Sequence, residues 1–132
     1  MTYAVKNISV SIEKPASEVY AFASRAENFP KWVRLFKAMT PQGDVWIGKT
    51  DQGDVTIKWP PANEFMVLDH TVIFPNGESV VNCMRIVANH KGSEFVFTLF
   101  QRPGRTEKEF EEDAGLVKAD LETLKKIMEE GK

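Results

Sequence analysis

One cysteine and two histidines are all the sequence holds of the residues that bridge chains or bind soft metals. Cys83 has no second thiol, so an internal disulfide is excluded, and the count fits a reducing compartment such as the cytoplasm. Zinc ribbons and dithiol redox motifs are excluded with it. His70 and His90 show no H-x-x-x-H spacing, so no metal and no other cofactor is expected. Long apolar runs are also missing. Stretches such as "FMVL" fall far short of the roughly 20 residues of a membrane-spanning helix. The first residues lack the basic and then apolar order of a secretion signal. Charge is nearly balanced, with 17 Lys and Arg against 19 Asp and Glu. That leaves no basic face for nucleic acid. With no repeat, low-complexity tract or linker, the 132 residues are expected to form one domain, 1–132.

What is present is mostly strand pattern. Ile8, Val10 and Ile12 alternate with Asn7, Ser9 and Ser11 in a half-buried strand over about 3–13. Pro15 suits a first helical turn. Val19, Tyr20, Phe22 and Ala23 then give one short helix, and Phe29 and Trp32 a second over about 27–33. Turn residues punctuate six further strands at about 35–40, 44–50, 53–59, 64–74, 78–89 and 94–102. The connections among these six are short enough for antiparallel neighbours. Thr106 and Glu109 form a capping-box pattern, and an apolar stripe from Phe110 through Val117, Leu121 and Leu124 to Met128 marks a long helix.

Turn chemistry predicts register. In "FPNGE", Pro75 has no N–H for a ladder, so a three-residue turn with Gly77 left-handed pairs Phe74 with Glu78. Val72 then faces Val80, His70 faces Asn82, Leu68 faces Met84 and Met66 faces Ile86. In "HKGS", a two-residue turn on Lys91 and Gly92 pairs His90 with Ser93. Ala88 would then meet Phe95, Ile86 Phe97, Met84 Leu99, and Asn82 Gln101. Both hairpins put their apolar residues on one face. One polar rung of His70, Asn82 and Gln101 crosses it, and such a rung must satisfy itself, hold water or meet a ligand. Of the three only His70 titrates near neutrality, so it alone suits acid–base chemistry.

The opposite face takes Asp69 and Arg85 as a surface pair, and Cys83 without an activator. Val96 and Phe100 fall there too, where they would suit a homodimer or another protein partner. Glu112 and Asp113 suit the helix dipole. Gly115 inside the helix suggests a kink or a close approach to the sheet.

The stretch "ISVSIEKPASEVYAFASRAENFPKW", supported by "GDVWIGKT" and by "EEDAGLVKADLETLKKIMEE", resembles the START-like (SRPBCC) superfamily. Its relatives include Bet v 1-like proteins, polyketide cyclase/dehydrase domains and Hsp90-ATPase-activator-like domains. The resemblance implies an α+β helix-grip fold: a seven-stranded antiparallel sheet curved around a long C-terminal helix, with two short helices after strand 1. It implies an apolar cavity between sheet and helix, with residues 14–33 closing one end. Trp32 stands where the family often has a tryptophan. Binding of a small apolar molecule is the function expected first, whether lipid, polyketide or aromatic metabolite. A cyclase-like enzyme using His70 comes second, and a protein-interaction module third. Beyond the rung, the expected lining is Trp32, Trp59, Met84, Phe97, Val117 and Leu121.

Overall fold

Alternation along the first strand and the turn signals after it produce the expected element order. The computed structural model describes residues 1–131. Strand β1 (Val5–Ile12) leads into α1 (Ala16–Ala23), a short 3-10 turn (Ala26–Asn28) and α2 (Phe29–Trp32). Strands β2 (Ala38–Gln42), β3 (Val45–Thr50), β4 (Gly53–Lys58), β5 (His70–Ile73), β6 (Ser79–Asn89) and β7 (Gly92–Phe100) follow, and α3 (Glu107–Glu130) closes the chain. The seven strands form one sheet in the order β1-β7-β6-β5-β4-β3-β2, with every pair antiparallel. This is the helix-grip arrangement. Pro41 sits in β2, an edge strand, where a missing N–H costs no ladder bond.

Helix α3 starts at the expected capping box, with Thr106 accepting from Glu109 N and Glu109 from Thr106 N. Leu121 and Leu124 are fully buried, while Val117, Ile127 and Met128 pack at the margin of the core. The helix lies along β1 and against α2. Polar bonds hold it there: Lys125 Nζ donates to the Ser11 carbonyl at 2.6 Å, and Glu129 accepts from Glu13 N at 2.9 Å. Gly115 is exposed, and a Cβ there would meet nothing within 4 Å. Close approach to the sheet is therefore not its role.

The β5–β6 hairpin has the expected register, with Val72 opposite Val80 and His70 opposite Asn82. Gly77 takes φ 90° in the turn, and Phe74 N donates to the Glu78 carbonyl. The β6–β7 hairpin differs. Asn89 pairs with Gly92, so the turn is His90–Lys91 and every partner shifts by two residues. Met84 faces Phe97 and Ile86 faces Phe95. The cause is tertiary. A Cβ on residue 92 would lie 2.7 Å from the Ile12 carbonyl oxygen, so β1 requires glycine inside the strand. The left-handed turn position falls to His90, at φ 55°. A slip of two leaves each side chain on its expected face.

Strand β5 is also shorter than the predicted 64–74. Asn63 takes over the segment before it, accepting from Phe65 N and Val67 N and donating to the Val67 carbonyl, while Tyr20 Oη accepts from its backbone N–H. Met66 turns left-handed at φ 57°, and only a single bridge, Val67 to Arg85, remains of the ladder there.

Candidate functional site

The interruption before β5 builds the polar part of the site. Leu68 N donates to the Met84 carbonyl, as a continuous ladder requires. The return bond is diverted, because Met84 N–H donates to Asp69 Oδ1 at 3.0 Å. The Leu68 carbonyl bonds instead with His70 Nδ1 at 3.0 Å. His70 is thus held from below by a backbone oxygen. Its ring is wedged between Phe29, edge-on at 5.4 Å, and Trp59 at 5.2 Å. The imidazole is 3% exposed, and burial pushes its pKa below the ordinary 6.5, partly opposed by the Leu68 bond and the Asp69 charge. A neutral ring with Nδ1 protonated leaves Nε2 as an acceptor, and Asn82 Nδ2 lies 3.4 Å from it.

Above this pair lies a cavity of about 520 Å³. Its walls come from α2 and the segment after it (Phe29, Trp32, Val33, Leu35, Phe36), from β5 to β7, and from α3 (Leu116, Val117, Leu121). Most of the lining is aliphatic or aromatic. Polar groups sit at a few places: His70 and Asn82 on the sheet, Asp113 and Asp120 on α3, and Gln52, Thr98 and Arg102. Asp120 accepts from Arg34 N at 3.2 Å, and burial raises its carboxyl pKa. Arg102 lies over the Phe74 ring and pairs with Glu78. Among the described residues, Trp32 Nε1 is buried without a hydrogen-bond partner. A smaller depression of about 350 Å³ near the β6–β7 turn is lined by Ser11, Glu13 and Asn89 to Glu94. Glu94 there is already bound to Ser11 and Asn89.

Of the residues expected from sequence, His70, Asn82, Trp32, Met84, Phe97, Val117 and Leu121 line the larger cavity together. Gln101 and Trp59 do not. The two-residue shift of β7 takes Gln101 past the rung; its backbone N–H donates to the Ala4 carbonyl and its side chain to the Arg105 carbonyl. The rung therefore holds two residues, not three. Trp59 packs behind His70 and Phe29, with Nε1 donating to the Ser24 carbonyl at 2.7 Å. Asp113, expected to serve only the helix dipole, lines the cavity. The outer face carries the Asp69–Arg85 pair at 3.0 Å, and Cys83 has its thiol pKa raised by burial.

Asp120, Phe29 and Phe36 line the cavity without being expected there from sequence. Asp120 could have been, since Asp113, Leu116, Val117 and Asp120 fall at helical spacing beside the apolar stripe. Phe36 carries no periodic signal and is placed by the chain leaving α2.

No family model matches the chain, and no curated protein matches it. Solved structures do. A Bacillus thuringiensis uncharacterized protein superposes with a TM-score of 0.77 at 12% identity, covering 95% of this chain and 98% of that one. The Aha1 dimer of Colwellia psychrerythraea gives 0.76 at 12% identity, with 98% of both chains covered. DynU16, a protein in the dynemicin biosynthetic locus, gives 0.74 at 16% identity over 97% of this chain and 48% of its own length. At such identities the likeness is one of architecture. Strand order, closing helices and these superpositions together give the chain the helix-grip fold.

Proposed function

We propose that the chain binds a small, largely apolar molecule in the cavity between α3 and strands β5 to β7. The observation that carries this reading is the cavity itself. At about 520 Å³ it falls within the 300–1,000 Å³ range of small-molecule sites, and its mostly apolar lining holds few polar groups. Native mass spectrometry of freshly purified protein, followed by titration with an apolar fluorescent probe, tests the reading. A bound small molecule or saturable micromolar binding is expected. Binding that survives filling the cavity with Val117→Trp would place the site elsewhere.

The cyclase-like alternative is less favoured by the geometry. A general base at His70 would need a free Nε2 and a stabilised imidazolium. Here Nε2 faces Asn82, and burial disfavours the charged ring.

A further inference from the structure

If the cavity is a ligand site, as just proposed, His70 and Asn82 give it a fixed hydrogen-bond polarity. The Leu68 carbonyl can only accept, so the bond to it places the His70 proton on Nδ1. Nε2 of a neutral ring can then only accept. Asn82 must turn its Nδ2–H toward that ring, whichever way an amide is drawn from shape alone. Oδ1 of the same amide consequently points away from His70. Among the described residues it has no hydrogen-bond partner, and it is not sealed off by protein atoms. Asn82 lines the cavity on its sheet wall, where Val72, Val80, Met84, Phe97 and Leu99 also lie. None of those side chains can donate a hydrogen bond.

We propose that Asn82 Oδ1 is the specificity-determining acceptor of the cavity. It selects apolar molecules that carry a hydroxyl or N–H donor over isosteric molecules that offer only an acceptor. His70 is the positioning residue that holds the amide in this sense. An ether or ketone oxygen against Oδ1 would set two acceptors face to face in an apolar wall. A site built around an unpaired polar group rejects such a mismatch more strongly than an apolar pocket rejects a change of size.

The test uses three naphthalenes, titrated into the full chain by calorimetry: 2-naphthol, its acceptor-only ether 2-methoxynaphthalene, and 2-methylnaphthalene as the isosteric apolar control. 2-Naphthol should bind about three- to tenfold tighter than 2-methoxynaphthalene. That ratio should fall to near one in Asn82→Leu, or in Asn82→Val should the leucine variant fail to fold. It should also fall in His70→Phe, where the amide is free to present either end, and recover in His70→Gln, whose amide oxygen can again accept from Asn82. A general loss of packing would weaken all three probes alike and leave the ratio unchanged. Equal affinity for the naphthol and its methyl ether in the native protein overturns the inference while leaving the cavity a binding site. So does a ratio that survives Asn82→Leu. A ratio that survives His70→Phe removes His70 from the positioning role. Failure of all three probes to bind overturns the ligand reading itself, and the inference with it.

Discussion

A buried histidine couples the protein's stability to pH. Because burial holds the His70 pKa below 6.5, the native state binds fewer protons than the unfolded chain once pH falls through that value. Stability is therefore lost as pH falls from about 6.5, and the loss from this group ends below the native pKa. One proton sets a maximum slope of about 1.4 kcal/mol per pH unit. Urea unfolding at a series of pH values should show a flatter dependence in His70→Phe than in the native protein. Parallel curves would mean that the imidazole is not held neutral. Leu121 gives a second prediction at this scale. It is 1% exposed, and Leu121→Ala should cost about 2–5 kcal/mol as a buried large-to-small change. A thermal melt unchanged within a degree would contradict its place in the core.

Among the elements, α3 is the most independent of tertiary detail, and two changes at its surface have opposite signs. Thr106→Ala removes the side chain that accepts from Glu109 N and should destabilise by about 0.5–2 kcal/mol. Gly115→Ala meets open space and should stabilise by about 0.5–1 kcal/mol. Chemical denaturation of both variants checks the pair. The helix was legible in the sequence because cap, stripe and charged face all lie within one local segment. The β5–β6 register was legible for the same reason, since Pro75 and Gly77 decide it within five residues. The β6–β7 turn was not. Its position depends on the Ile12 oxygen, far away in sequence, which leaves no room for a side chain at Gly92. The break before β5 was equally hidden, because Asn63 and Asp69 compete with the ladder through bonds that no strand pattern encodes. That competition frees the Leu68 carbonyl to orient His70, so the least legible part of the sheet builds the polar end of the cavity.

At the scale of the whole molecule, the sheet order places β1 beside β7, with α3 laid along both. The cavity has a wall from nearly every part of the chain: α2 from the first third, β5 to β7 from the middle and α3 from the end. No fragment lacking α3 would enclose it. Half-exposed β1 alternates polar and apolar side chains, and its ladder to β7 runs from Val5–Phe100 to Ile12–Ser93.

That pairing sets an order of events in time. On a ribosome adding about 5–20 residues per second, β1 is made first but waits on the order of ten seconds for partners roughly ninety residues later in the chain. The hairpins β5–β6 and β6–β7 join neighbours and can close early, whereas pairing β1 with β7 must close the longest loop in the sheet. The strand of this sheet that comes earliest in the chain is thus among the last to find its place. Its serines and asparagine alternate with single aliphatic residues, so it offers no continuous apolar run through the wait.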